Sequence, residues 1–294
     1  MAAVSVPSLP PELERAIFQQ AAYDSPRSIP TMMLVAWRFK VWLEPLLYRI
    51  VTILGRTSQS PLKDHRTYPL LHDEVSSSRT TLIQSSVRHL CVNAVSLDDV
   101  QHVLPASRGV QNLWISTAGW NYPMVPLIGA LRPRRLYCYL ETLLFDPRSP
   151  MDCTHDLFSH LTHLEILRIF RAHAVDAICE GLALIPHLTH LAFNDVVMLP
   201  HSLRFLRTCG SMRVLVFLGR QNWDYYPREL TKKLENEPRF VHVRCDERIK
   251  DWHMGALWGR DYWSRAEDFI TKRRTGEIDP YRFQILDDES QYLC

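Results

Sequence analysis

The chain has 294 residues, of which 46% are hydrophobic, enough for one large domain or two ordinary ones built on a real core. Its 34 Lys and Arg stand against 32 Asp and Glu, a formal charge of +2, so no overall field draws in a nucleic-acid backbone and no nucleic-acid partner is expected. Seven cysteines, none closer than 15 residues to the next, exclude a zinc knuckle or a C-x-x-C redox motif, and their odd number argues against a closed disulfide framework. They read as reduced thiols of a cytoplasmic or nuclear protein. No apolar run approaches the ~20 residues that cross a bilayer, and residues 1–11 lack the basic and apolar regions of a secretory signal. Neither membrane nor secretion is expected.

Residues 1–48 read as a helical module. Ser8 or Pro10, with Pro11, opens a first helix with Glu12 and Glu14 in its first turn, where the dipole favours acid. Leu13 and Ile17 then fall on one face. Asp24, Ser25, Pro26 and Arg27 make a turn, and a second helix is expected from about Thr31, with Met32, Met33, Val35, Ala36, Phe39, Val41, Trp42 and Leu43 forming an apolar set wider than one stripe. Pro45 bends or ends it. Residues 49–54 form a β-rich run, a candidate first strand, and 49–86 as a whole is this strand and a linker.

From residue 87 a short motif, apolar-x-x-Leu-x-apolar, recurs at 87–92, 110–115, 133–138, 161–166, 188–193, 212–217 and, more weakly, 238–243. The central residues are Leu90, Leu113, Leu136, Leu164, Leu191, Leu215 and Val241, so the spacings are 23, 23, 28, 27, 24 and 26. Between the motifs, residues 97–104, 122–131, 156–161, 175–185, 202–208 and 228–236 carry helical apolar spacing bounded by Pro, Gly, Asp or Ser. The unit is one strand plus one helix. Because a single unit cannot bury its own apolar face, about seven stacked copies over 87–245 would share one core. A globular α/β sheet of irregular strand order is the alternative.

If the central Leu points into that core, strand alternation sends its neighbours to the opposite, concave face. There stand Asn112, Trp114, Arg135, Tyr137, His163, Glu165, His190 and His242, with Asn194 and Arg244 one step further along. These types are enriched where proteins grip partners, so the ten form the candidate partner-binding set for an unidentified protein target. Val214, Val216 and Leu218 are too apolar to lie open to water. The alternative is that the C-terminal segment covers the face. Residues 246–294 break the repeat, carry Trp252, Trp258, Trp263, Phe269 and Ile270 in expected helices, and read as a helical C-terminal cap.

No catalytic, metal or cofactor set is expected. His160/His163 and His187/His190 recur inside the duplicated string HLTHL, which the repeat explains without a metal. The glycine-rich phosphate loops and the nucleophile elbow have no match in the chain. A Cys/His pair that meets only in space stays open from sequence, and an irregular α/β hydrolase is a third reading.

Residues 7–48 resemble an F-box, on Leu9-Pro10-Pro11-Glu12-Leu13, Ile17-Phe18, Leu34-Val35, Trp42 and Leu46-Leu47-Tyr48. The repeats resemble irregular leucine-rich repeats, and the whole layout is similar to fungal-type F-box proteins. Ala36 stands where Cys or Ser is usual, and 24–30 lengthens the inter-helix turn. The resemblance implies an α/β protein: an N-terminal helical F-box-like module, an irregular leucine-rich-repeat-like solenoid, and a C-terminal helical cap. It implies that Leu9, Pro10, Leu13, Ile17, Phe18, Leu34, Val35 and Trp42 dock a Skp-type adaptor of a cullin-based ubiquitin ligase while the repeats capture a target. The alternative is a repeat scaffold with no ubiquitin link, whose N-terminal helices only close the stack.

Overall fold

A computed structural model describes residues 9–54, 80–94, 96–116, 124–144, 152–168, 175–219, 223 and 226–285. Most of the linker expected over 49–86, the serine run at 76–78 and the acidic residues at 287–289 lie outside the described residues. The protein is α/β. Nine strands form one open, fully parallel sheet whose spatial order is the chain order.

The strands are β1 (Ile50–Leu54), β2 (His89–Asn93), β3 (Asn112–Ser116), β4 (Arg135–Cys138), β5 (His163–Ile166), β6 (His190–Phe193), β7 (Val214–Leu218), β8 (Phe240–Val243) and β9 (Gln284–Ile285). All seven motif copies are strands. Val51, Leu90, Leu113, Leu136, Leu164, Leu191 and Leu215 pair in one column across the sheet. Each is essentially fully buried. Such a column forms because period-2 alternation fixes which face each residue takes, and a one-residue slip would turn every Leu outward.

The last motif departs from this reading. Phe240, not Val241, pairs with Leu215, and His242 pairs with Phe217. His242 therefore points to the Leu side of the sheet, where Trp223 Nε1 donates to its Nδ1 at 3.0 Å and its Nε2 lies 2.9 Å from the Gly219 carbonyl oxygen. Its expected place on the concave face is corrected. Phe240, Val241 and Val243 are all apolar, so alternation alone cannot choose between the two registers.

On the Leu side lie α4 (Thr80–Ser86), α5 (Leu97–Val103), α6 (Val125–Leu131), α7 (Leu140–Leu144), α8 (Val175–Leu182), α9 (Leu199–Thr208) and α10 (Arg228–Glu235). With the strands they enclose the larger core, which holds Val92, Ile115, Ile166, Phe193 and Phe217 besides the Leu column. The helix expected at 156–161 is a single 3-10 turn, Asp156–Phe158, while α7 went unforeseen.

The opposite face is covered by α11 (Arg248–Trp258) and α12 (Tyr262–Thr275), which bury a second core. Gly259, at φ 69°, ends α11 in the left-handed region that only glycine enters cheaply. Asp261 then starts α12 through a capping box with Ser264. At the far end buried Arg273 donates to the carbonyl oxygens of Glu235, Phe240 and Pro280, tying α12 to the end of α10, to β8 and to the segment that forms β9. Arg273 thus acts as a clamp, beyond the dipole role its place near a helix C-terminus suggests.

The N-terminal module contains α1 (Pro11–Asp24), a 3-10 turn Pro26–Ser28, α2 (Ile29–Met32) and α3 (Trp37–Leu47). The single second helix expected from Thr31 is thus two helices, broken where Ala36 is fully extended. That break explains the wide apolar set: it belongs to two separate helical faces. Pro45 sits in the last turn of α3, which ends two residues later. No helix among the described residues is long and apolar enough to cross a membrane.

Candidate functional site

Two surfaces were expected to bind partners, and the fold treats them oppositely. On the face opposite the Leu column Asn112, Trp114, Tyr137, Glu165 and His190 are buried, Arg135, His163 and Asn194 are half-buried, and Arg244 is exposed. The strands do bring Asn112, Trp114, Arg135, Tyr137, His163, Glu165 and His190 together. What they meet is the chain's own C-terminal helices, so a partner-binding role for the buried five is corrected to a packing role.

The contacts are specific. Trp252 Nε1 donates to Asn112 Oδ1 at 2.9 Å, and Trp263 Nε1 donates to the Tyr137 hydroxyl at 3.0 Å. Glu165, with no exposed surface, accepts from Arg248 at 2.9 Å and from the Tyr262 hydroxyl at 2.8 Å. Arg135 pairs with Asp261 at 2.9 Å, and Nε2 of His190 lies 2.9 Å from Glu267. The imidazoles of His163 and His190 stack 4.0 Å apart, with the edge of Trp263 against both. These pairings matter because a buried polar group left unpaired costs about 1–3 kcal/mol; on the same face Trp114 Nε1 and Asn194 Oδ1 have no hydrogen-bond partner among the described residues.

Burial sets the protonation of the layer. It pushes the Glu165 carboxyl above its usual range against the pull of Arg248, and raises the Tyr137 and Tyr262 phenols. His163 is lowered to about 2 by burial and then by His190. His89 is lowered to about 3, by burial and then by Arg49. Both rings are therefore neutral hydrogen-bonding groups. Buried thiols are held protonated, with Cys153 at about 12 and Cys179 at about 11. Among the described residues no group of three or more His, Cys, Asp or Glu is placed to hold a metal ion; His160 and His187 are exposed while their motif partners are stacked inside.

A cavity of about 330 Å³ lies on that face, at the C-terminal ends of β2 to β5 under the first turn of α11, against Trp114, Tyr139 and Leu167. A larger cleft of about 660 Å³ separates the α1–α2 turn from Leu257 and Trp258 at the end of α11.

The N-terminal module presents the contrary picture. Its own small core is Ala22, Ile29, Phe39 and Leu43. Phe18 stacks on Phe39 at 3.8 Å and Trp42 lies 5.5 Å from the same ring, so these two expected adaptor contacts are half-buried and serve that core. Arg38 pairs with Glu14 at 2.9 Å and holds α3 against α1. Leu9, Pro10, Leu13, Ile17, Leu34 and Val35 are exposed, joined by Trp37 and Val41, which lie outside the expected adaptor set. Eight of the twelve exposed large apolar side chains among the described residues fall between Leu9 and Val41. Leu13 and Ile17 are one turn apart on α1, as are Trp37 and Val41 on α3, so each pair lies along one helix face.

No protein-family model matches the chain, and no curated protein matches it in sequence.

Proposed function

We propose that this protein is a substrate adaptor whose N-terminal helices form an F-box-like module that docks a Skp-type adaptor of a cullin-based ubiquitin ligase. In this reading the sequential parallel strands are an irregular leucine-rich-repeat-like solenoid, capped by α11 and α12, that holds a protein target. The observation that carries it is the concentration of exposed Leu, Ile, Val and Trp side chains on α1, the turn after α2, and α3. Monomeric domains rarely expose apolar side chains in such concentration without a partner. The resemblance of residues 7–48 to an F-box supports a Skp-type adaptor as that partner.

A second reading has its own support. Leu47 packs against both the module core and the main core, as a helical cap would, so the module's sole role would be to close the β1 end of the sheet. The two readings separate in a pull-down with a purified Skp-type adaptor. The wild-type chain is expected to retain the adaptor, and a Leu13→Asp, Ile17→Asp double variant to lose it with its circular dichroism unchanged, because both side chains are half-exposed and outside every core. Wild-type chain that fails to retain the adaptor would leave the cap reading.

A further inference from the structure

The second position of the repeated motif is Arg in four of the seven copies, a regularity that neither core uses. Backbone hydrogen bonds show where it goes. The amides of Arg88, Gln111, Arg134, Thr162, Thr189 and Arg213 each bond the carbonyl of the equivalent residue one strand earlier, beginning at Arg49. These positions therefore stand side by side along the edge where the strands begin, about 4.8 Å apart per strand. Arg88 and Arg134 are two strands apart, roughly 10 Å, the length of three residues of extended chain. Arg108 and Arg132, both exposed, flank them in the turns that lead into β3 and β4.

Three described acids near this edge are already engaged. Asp261 takes Arg135, Glu237 takes Arg239 at 2.8 Å, and Glu267, which also feels Arg213, is bonded to His190. The Arg88 guanidinium bonds only the neighbouring Val87 carbonyl, and Arg108, Arg132, Arg134 and Arg213 have no ion pair among the described residues. In a chain whose formal charge is only +2, one edge thus carries a row of guanidinium groups that form no ion pair with another described residue.

We infer that the strand-start edge from β2 to β7 is a docking surface for an extended acidic segment of a partner protein, its carboxylates paired with Arg88, Arg134 and Arg213. Charge complementarity names the occupant. The planar fork of Arg suits carboxylates bidentately, and the row itself carries no aromatic side chain on which the bases of a single-stranded nucleic acid would stack. This surface is distinct from the N-terminal module and does not rest on its adaptor role.

The test uses the full chain and a fluorescein-labelled peptide of about twelve residues, long enough to span the row, with Glu at every second position so that its carboxylates share one face. Anisotropy is expected to report binding that weakens as salt rises from about 50 to about 300 mM and that a Gln-substituted peptide lacks. An Arg88→Ser, Arg134→Ser, Arg213→Ser triple variant should bind on the order of tenfold more weakly. A control triple at exposed Arg15, Arg207 and Arg274, with the same loss of charge, should bind as wild type. Equal weakening by both triples, or no binding of the acidic peptide by wild type, overturns the proposal. So does an oligonucleotide of equal charge that binds more tightly than the peptide and loses affinity in the Arg88/Arg134/Arg213 triple.

Discussion

Replacing Trp263 with Ala is expected to destabilise the protein by about 4 kcal/mol, in the range seen when a large buried aromatic is truncated. The indole is 1% exposed, packs its edge on the His163–His190 stack, lies against the Tyr262 ring and donates to the Tyr137 hydroxyl. Truncation leaves a cavity and also strips a buried phenol of its partner, so both the packing and the polar penalties apply. Trp258→Ala at a residue 43% exposed and Trp37→Ala at one 74% exposed serve as controls, with changes within about 0.5 kcal/mol. Urea unfolding followed by far-ultraviolet circular dichroism decides it. A Trp263→Ala midpoint equal to that of the two controls would mean that α12 does not cover the face opposite the Leu column in solution, and the partner-binding role of Tyr137, Glu165 and His190 would return.

Acidification should weaken the same layer. His163 and His89 titrate near 6.5 when unfolded and are lowered to about 2 and about 3 when folded. The unfolded chain therefore binds protons as pH falls through 6.5 while the folded chain does not. Their contribution is complete above that pH and is lost below it. At pH 5 each ring costs about 2 kcal/mol relative to neutral pH, following from 1.36 kcal/mol per unit. His242, also lowered by burial, acts in the same sense. Glu165 and Asp251, raised by burial, oppose it from the carboxylate range upward, whereas lowered Glu237 and Glu267 reinforce it on the acid side. Urea midpoints at pH 7.5, 6 and 5 should fall steadily, and His163→Gln should flatten the slope. Midpoints that do not move between pH 7.5 and 5 would show that these rings are hydrated in the folded state.

The strand column was legible in the sequence because seven copies of one motif set the same register, so an error at any single copy is outvoted by its neighbours. It failed at 238–243, where Phe240, Val241 and Val243 suit either face and the unforeseen strand β9 takes the outer edge. β9 belongs to no repeat and pairs through two residues only, too short for a periodic signal. The covering of the face opposite the Leu column was half legible. Val214, Val216 and Leu218 demand shelter and the aromatic C-terminal helices offer it, yet the polar matches that complete the layer, Arg248 with Glu165 and Trp252 with Asn112, join residues 83 and 140 positions apart. No local pattern records such pairs. In the N-terminal module helical spacing put Leu13 and Ile17 on one face and only the F-box resemblance implied that they stand free for a partner, whereas Trp37 was hidden by the break at Ala36, which reset the helical phase that placed Trp42.

Hydrogen–deuterium exchange of the full chain with and without a purified Skp-type adaptor tests the central claim most directly. Adaptor docking on the exposed apolar faces predicts slowed amide exchange over 11–47, with β2 to β8 unchanged. A complex that protects the strands and leaves 11–47 unchanged, or an adaptor that alters no segment of the chain, would contradict it.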